Sequence, residues 1–261
     1  MARPIPLGMC INPDKVADLA PGYDYLELTV SGTLNPLEDD VAMAPSVLPL
    51  RSLQPPVRAF NVFVASSVRL TGPEVDWDRV RTYVDRAVRR VHNVGGKVIV
   101  FGSGGARNIP EGFDREQAWG QLVQFCTVCA DRLQGTGVTL AIEPLNHNES
   151  NVVNTYLEGV RLAQDTNRPN EVKVLADIYH FMVDEEPLDD IAQAPEWLAH
   201  VHLADSGRRN PGSGSYPLQR WFDILRDVDY QGMASVECRW GDDFTRESAD
   251  SLAFLRPLAG W

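Results

Sequence analysis

The segment WLAHVHLADSGRRNPGSG, residues 197–214, begins as a short apolar run and continues into a cationic, glycine-rich turn. Its first part, residues 197–205, has the length and composition of a strand buried in a parallel sheet. His200 and His202 stand two residues apart and therefore project from the same face of that strand. The segment predicts a strand whose end carries an imidazole, followed by a loop that bears two arginines.

Further runs of the same kind recur along the chain. Each is dominated by Val, Ile, Leu and aromatic residues and is bounded by Gly, Pro or polar residues, as strands commonly are. The eight predicted strands are residues 6–12, 23–30, 57–64, 97–103, 138–145, 171–181, 197–205 and 232–240. The intervals between most of them are long enough to hold a helix.

Amphipathic stretches fill several of these intervals. Residues 75–96, 113–135 and 154–167 carry apolar residues at helical spacing, and Asp76 or Asn154 could cap the start of such a helix. Strands that alternate with helices predict a parallel sheet and the α/β class. Eight strands in a chain of 261 residues predict a single (β/α)8 TIM barrel, with residues 1–261 as one domain and the active site at the C-terminal ends of the strands.

The alternative α/β architecture is an open, doubly wound sheet. Such a sheet normally carries a G-x-G-x-x-G turn after its first strand. The corresponding segment here is INPDKVADLAPG, residues 11–22, which lacks that pattern. The barrel is therefore the preferred prediction.

The charge and the cysteine content of the chain limit the binding partners and the cellular location that can be expected. The chain has 24 Lys and Arg against 36 Asp and Glu, a formal net charge of −12, which argues against nucleic acid and against an anionic membrane surface. No signal peptide and no membrane-spanning run is recognisable, so a cytoplasmic location is expected. Cys126 and Cys129 form a C-x-x-C within an apolar helical pattern, and we expect buried core thiols there rather than a zinc or redox pair.

Four predicted strands in succession end on residues of the metal-ligand type. Their side chains are Glu143, Asp177, His202 and Glu237. Because neighbouring strands lie about 4.8 Å apart, these four groups could converge on one ion. Three carboxylates and one imidazole suit Mn²⁺, Mg²⁺ or Co²⁺ better than a structural zinc. Taken singly, each residue could instead be a helix cap, a salt-bridge partner or a satisfied core histidine.

Several of these segments resemble a known family. EPLNHNESNVVNT (143–155), DIYHF (177–181), HVHLADSGRRNPGSG (200–214) and VECRW (236–240) are similar to the xylose-isomerase-like barrels, which include D-tagatose 3-epimerase and hydroxypyruvate isomerase. The resemblance implies that the four strand-end residues bind one divalent metal, with Mn²⁺ as the first choice. It also implies that the two glutamates of that set, Glu143 and Glu237, act as the catalytic acid–base pair.

The resemblance carries over to three further positions. Glu149, His180 and Arg208 match family residues that bind the substrate, which would be a small-molecule sugar or keto-sugar. Family members often form dimers or tetramers, so a homo-oligomer is expected on the same ground.

Other residues are candidates from their position alone. Arg107, in the glycine-rich segment FGSGGARNIP (101–110), and Asn61, at the end of the third strand, could contact the substrate. An ordinary loop or barrel packing would explain them equally. Glu27 could line the pocket or pack inside the barrel, and His200 could orient a metal ligand from within it.

The function predicted from these residues is a divalent-metal-dependent isomerase or 3-epimerase of keto-sugars, which abstracts a proton through a metal-stabilised enediolate. A lyase or dehydratase of the same superfamily, of the inosose dehydratase or 3-keto-glycoside deglycosylating type, remains an alternative because it begins with the same enolisation. Two weaker alternatives are an endonuclease IV-like DNA repair enzyme and a non-catalytic binding subunit.

Overall fold

Eight parallel strands in chain order close into a barrel in the computed structural model, which describes residues 3–260. The strands are β1 (Leu7–Cys10), β2 (Tyr25–Thr29), β3 (Val57–Asn61), β4 (Val98–Phe101), β5 (Thr139–Ile142), β6 (Val172–Asp177), β7 (Leu198–Leu203) and β8 (Met233–Val236). Closure comes from the pairing of β1 with β8, where Met9 lies opposite Val236. Each predicted run contains one strand, so the predicted fold class is confirmed.

Helices surround the barrel between the strands. They are α1 (Asp40–Val47), α2 (Trp77–Val94), α3 (Gly104–Arg107), α4 (Arg115–Leu133), α5 (Tyr156–Thr166), α6 (Ile178–Val183), α7 (Leu218–Asp227) and α8 (Phe244–Leu258). The three helices predicted from amphipathic periodicity correspond to α2, α4 and α5. Within residues 3–260, no helix has the length and apolar character needed to cross a bilayer.

The helix caps agree only in part with the prediction. Asp76 accepts a hydrogen bond from the first turn of α2, and Gly95 ends that helix with a φ of 100°, a conformation that favours glycine. At α5, however, the capping side chain belongs to Thr155. Asn154 instead donates its amide to two carbonyl oxygens of the preceding loop, at 2.7 and 2.8 Å, and the prediction that it caps α5 was wrong.

The core has two layers. The larger lies between the strands and the helices, and it includes the buried side chains of Cys126 and Cys129 on α4, as predicted. The smaller lies inside the barrel and consists of Tyr25, Ala59, Val98, Val100, Ala141 and Leu175. Buried polar groups, among them Glu27, His200 and Ser235, accompany this apolar layer.

Candidate active site

The four ligand-type residues lie together at the C-terminal ends of β5 to β8. Asp177 and His202 face each other in register across β6 and β7. Glu143 and Glu237 directly follow β5 and β8, and their backbone amides continue the sheet by donating to Phe101 O and Leu203 O. One side-chain atom from each of the four lies within 4.8 Å of the others. The fold thus brings together the residues that the spacing along the chain singled out.

The atoms at the centre of this cluster are suited to a cation. Among the described residues, Glu143 Oε1, Asp177 Oδ2 and His202 Nδ1 are buried and have no hydrogen-bond partner. Nδ1 lies 3.4 Å from Glu143 Oε1 and 3.3 Å from Glu237 Oε2. Buried polar atoms rarely stay unpaired, and hard oxygens beside an imidazole are a common donor set for divalent ions. The cluster could therefore hold one divalent cation.

The imidazole of His202 is oriented from below by Glu27. His202 Nε2 donates to Glu27 Oε1 at 2.9 Å, and His200 Nε2 and the hydroxyl of Ser235 bind Glu27 Oε2 at 2.8 and 2.6 Å. Because Nε2 is bonded to Glu27, Nδ1 is the ring nitrogen that faces the cluster, where a bound cation would take the place of its proton. Glu27 packs inside the barrel, and His200 is a barrel-interior residue that shares its carboxylate.

Burial and cationic side chains act in opposite directions on these carboxylates, and for Asp177 burial prevails and raises its pKa, although His180 and Arg208 lower it. Burial raises the pKa of Glu27, but the two histidines that it binds outweigh this effect and hold its pKa well below its usual range. Burial also raises the pKa of Glu237, while His202 and Arg208 lower it more strongly, to about 2. The pKa of His202 is lowered by burial, yet the carboxylates of Glu27 and Glu237 raise it well above its usual range. Cationic side chains thus balance the buried negative charge.

Arg208 lies over the cluster on a short helical turn, Ser206–Arg208. Its guanidinium donates to Glu237 Oε2 at 2.6 Å and to Glu149 Oε1 at 3.3 Å, and it stacks on the ring of Tyr179 at 4.5 Å. Two of the residues predicted to bind substrate are therefore joined to one of the strand-end glutamates.

His180 and Asn61 each have one buried polar atom without a partner among the described residues, a donor in His180 and an acceptor in Asn61. His180 Nδ1 accepts from the backbone and side-chain amides of Asn146, at 3.2 and 2.8 Å, so its proton is on Nε2. Asn61 Nδ2 donates to Glu237 Oε1 at 3.0 Å. Both residues are buried, and among the described residues His180 Nε2 and Asn61 Oδ1 have no hydrogen-bond partner. No motif in the sequence had indicated Asn146.

Arg107 has a structural position, and the prediction that it contacts substrate was wrong. Its side chain is fully buried and donates to three carbonyl oxygens, those of Phe101 at 3.0 Å, Glu143 at 2.8 Å and Val153 at 3.1 Å. The guanidinium points under the loop rather than into the cavity. It ties the end of β4 to the backbone that carries Glu143.

Removing that guanidinium should destabilise the fold. Arg107→Met removes a charged donor from three buried carbonyls, of which Phe101 O and Val153 O each keep one backbone donor. We expect the free energy of unfolding to fall by about 3 kcal/mol, measured by urea denaturation. Arg246→Met is the matched control, because that side chain is 70% exposed and the change should stay within about 0.5 kcal/mol. Equal stability of the two variants would contradict this role.

Gly102 makes room for Glu143. A Cβ at position 102 would overlap Oε2 of the glutamate. The absence of a side chain at this position lets the carboxylate lie where it does. The sequence showed a glycine-rich loop here but not which of its glycines stands against a functional group.

The cluster opens into a cavity of about 530 Å³. Its charged and ionisable lining residues are Glu143, Glu149, His180, Arg208 and Glu237. The loops after β2, β3 and β4 line it with small or aliphatic residues, which are Ser31, Gly32, Val64, Ala65, Ser66, Ser103, Gly104, Gly105 and Ala106. Asn61 also lines this cavity, and Val62 is an exposed apolar residue in its wall.

Comparison with known proteins identifies the family. A family model described as a xylose isomerase-like TIM barrel matches residues 13–258. The chain belongs to this family. The resemblance found in the strand-end motifs is thereby confirmed.

The chain is similar to several curated sugar-converting enzymes. The chain is 33% identical over 161 residues to a D-psicose 3-epimerase of Agrobacterium fabrum, covering 60% of this chain and 53% of that relative. It is 36% identical over 126 residues to a 3-dehydro-D-guloside 4-epimerase of Escherichia coli, covering 46% of this chain and 47% of the relative. These matches span about half the length of each relative. A match to an L-ribulose 3-epimerase of Methylomonas sp., 26% identical over 242 residues, covers 91% of this chain and 81% of the relative.

Solved structures share the architecture of the family. The crystal structure of a D-psicose 3-epimerase with D-tagatose, from Clostridium cellulolyticum H10, superimposes with a TM-score of 0.84 at 21% identity. The superposition covers 98% of this chain and 99% of that chain. A likeness at this level of identity establishes the common fold.

Proposed function

We propose that this protein is a divalent-metal-dependent epimerase or isomerase of keto-sugars. The observation that carries the proposal is the pair Glu143 and Glu237, which meet Asp177 and His202 in one cluster at the bottom of the cavity. Relatives named as 3-epimerases and as a 4-epimerase support the same reaction class. A rearrangement at a carbon next to a carbonyl is the chemistry that these relatives have in common.

The proposed ion is Mn²⁺, with Mg²⁺ and Co²⁺ as alternatives. Its ligands would be Glu143, Asp177, His202 and Glu237, three of which contribute buried atoms that have no partner among the described residues. When bound, a divalent ion supplies Lewis-acid stabilisation of the negative charge that develops as a carbonyl compound enolises.

The two glutamates would move the proton. In epimerisation, one carboxylate oxygen takes the proton from the carbon next to the carbonyl, and the C–H electron pair becomes part of the enediolate. The other glutamate then delivers a proton to the opposite face of that carbon. Because the pKa of Glu237 is held low, Glu237 would be the base and Glu143 the proton donor in one direction of the reaction, and the roles reverse in the other. In isomerisation the neighbouring carbon is reprotonated instead, and a hydroxyl proton passes from one oxygen of the enediolate to the other. Glu237 is well oriented for this task, because Asn61 and Arg208 each hold one of its oxygens.

The remaining polar groups would orient the sugar. His180 Nε2 offers a donor and Asn61 Oδ1 offers an acceptor, both at buried positions in the wall of the cavity. Arg208 and Glu149 lie at the same wall and are joined by a hydrogen bond. Sugar hydroxyls both donate and accept, so this set of groups can fix the face that the substrate presents to the glutamates.

The proposal is tested by deuterium uptake. Protein loaded with Mn²⁺ is incubated in D₂O with a panel of ketoses and 3-keto-glycosides, and the sugars are followed by NMR. We expect deuterium at a carbon next to the carbonyl, together with an epimer or an aldose. An eliminated product would assign a lyase instead. No deuterium uptake by any sugar, despite bound metal, would refute the proposal.

The carboxylate beneath His202 should determine metal affinity. In Glu27→Gln the new amide cannot accept from both imidazoles, so His202 loses the fixed orientation of Nδ1. We expect the affinity for Mn²⁺ to fall about 10–100-fold, measured by calorimetric titration. Ser235→Ala is the control, because it removes one donor to Glu27 and leaves the bond to His202 in place. An unchanged dissociation constant in Glu27→Gln would refute the orienting role.

A further inference from the structure

We propose that Val62, the residue directly after β3, determines which sugars the cavity accepts. The loop holds it in a left-handed backbone conformation, and its side chain presents an apolar surface to the substrate. The inference rests on the proposed function, because it places a sugar in the cavity above the cluster. It adds a residue that selects the substrate to those that hold the ion and move the proton.

The backbone of Val62 is the first observation. Its φ is 45°, a conformation that favours glycine and is costly for a β-branched residue. Within residues 3–260, eight residues other than glycine have a positive φ, and three of them, Val62, Ser103 and Arg208, line the cavity. Residues in this conformation cluster at binding and catalytic sites, where the surrounding structure holds them in place. The conformation of Val62 therefore points to a role in the cavity.

The residues on either side of Val62 are fixed by contacts of their own. Asn61 donates to Glu237 at 3.0 Å, and Phe63 is fully buried in the core between the strands and the helices. The backbone oxygen of Val62 accepts from the amide of Ser31 at 3.1 Å. The strained conformation is thus imposed by the fold and is not released by a local movement of the loop.

The side chain of Val62 gains little from burial. The residue is 46% exposed, whereas Val64 and Leu145, the other large aliphatic residues that line the cavity among the described residues, are 3% and 6% exposed. Val62 therefore has apolar surface left for a ligand. Glycine would adopt this backbone without strain and would lose little packing, so contact with the substrate explains why a valine stands here.

An apolar group in this wall distinguishes sugars by their configuration. A sugar has C–H groups as well as hydroxyls, and a C–H group packs favourably against the methyl groups of valine. A stereoisomer that turns a hydroxyl toward the same place would bury that hydroxyl without a hydrogen-bond partner, which costs binding free energy. Val62 selects by rejecting such isomers as well as by contact with the preferred one.

The test measures stability and selectivity together, because the two should move in opposite directions. Glycine and asparagine both tolerate a positive φ, and asparagine adds no glycine-like freedom to the unfolded chain. In Val62→Gly and Val62→Asn we expect the urea midpoint of unfolding to rise. The ratio of kcat/KM between the best and the poorest substrate should fall about tenfold or more. The rates are deuterium uptake from D₂O by Mn²⁺-loaded protein, with the stereoisomers of 2-ketohexose and the methyl 3-keto-glycosides as probes.

Two further variants separate the contact from the strain. Val62→Thr keeps the branched shape and the strained backbone but replaces a methyl group by a hydroxyl, so the same ratio should fall while the urea midpoint changes little. Asp229→Gly is the matched control, because Asp229 is exposed, has a φ of 54° and lies in the turn between α7 and β8, at the other end of the barrel. It should leave the kcat/KM of every sugar unchanged.

The outcomes that overturn the inference differ in what else they affect. If the urea midpoint falls in both Val62→Gly and Val62→Asn, valine stabilises the fold and its role is structural. If the ratio of kcat/KM stays the same in the three Val62 variants, the side chain does not select the substrate. Either result rejects the inference and leaves the proposed function intact. No deuterium uptake by any sugar with the wild-type protein would reject the proposed function together with the inference.

Discussion

Glu143→Gln should lower the rate of epimer interconversion by about 10²–10⁴-fold, the contribution typical of a positioned acid–base group. The amide is nearly isosteric and keeps a neutral oxygen for the cluster, but it cannot accept or release the transferred proton. The rate is measured as conversion of one purified epimer to the other, with the metal content of the protein determined in parallel. Glu116→Gln, on the exposed surface of α4, is the control for the chemical change itself.

The corresponding variant of the second glutamate, Glu237→Gln, tests whether the two glutamates act on opposite faces of the same carbon. If Glu143 and Glu237 serve opposite faces of one carbon, each single variant should still exchange deuterium into the epimer whose proton the intact glutamate removes. Glu143→Gln and Glu237→Gln should therefore retain exchange in opposite epimers while both lose interconversion. A pattern in which both variants lose exchange in both epimers would contradict the two-base arrangement.

Removal of divalent metal should abolish activity, and addition of Mn²⁺ should restore it. The proposed ion sits where three buried ligand atoms have no other partner among residues 3–260, so its binding also favours the folded state. When free Mn²⁺ exceeds its dissociation constant by about a hundredfold, the folded state should gain about 2.7 kcal/mol. Activity and thermal unfolding are measured on the same chelated protein as Mn²⁺ is titrated back.

Two histidine variants distinguish stabilisation by Mn²⁺ bound at the cluster from a nonspecific effect of Mn²⁺ on the protein. His202→Ala removes the nitrogen ligand, and its midpoint of unfolding should no longer respond to Mn²⁺. His92→Ala changes an exposed histidine on α2 and should keep the full response. Full activity of the chelated wild-type protein, with no metal found by elemental analysis, would show that the reaction does not need the ion.

The barrel was predictable because its strands are continuous apolar runs. Strand ends were less so, as residues 171–181 show. This run was predicted as one strand, but β6 stops at Asp177 and α6 begins at the next residue. Asp177 itself turns the chain, because its Oδ1 accepts from the backbone amide of Tyr179 at 2.8 Å. Apolar composition alone does not distinguish the end of a buried strand from the start of a buried helix.

The four residues of the cluster could be predicted from the sequence, whereas the roles of the residues around them could not. Its four members end successive strands, and the barrel brings such ends together. Glu27 lies far from its histidine partners along the chain, so nothing local in the sequence marks it as the group that orients His202. For Arg107, the sequence suggested a role at the site that the structure does not support. Its position in a glycine-rich loop beside the site is visible in the sequence, but the inward direction of its side chain is not.

The residues around the cavity are of two kinds, and this has a consequence for how such a protein evolves. Glu143, Asp177 and His202 are buried at or directly after strand ends, so under the proposed function a change there would damage the chemistry. Ser66, in the wall formed by the loop after β3, is exposed. Selection can alter that wall by single mutations and shift the range of molecules accepted while the reaction stays constant. One scaffold can in this way give rise to a set of related enzymes that share a catalytic step and differ in their substrates.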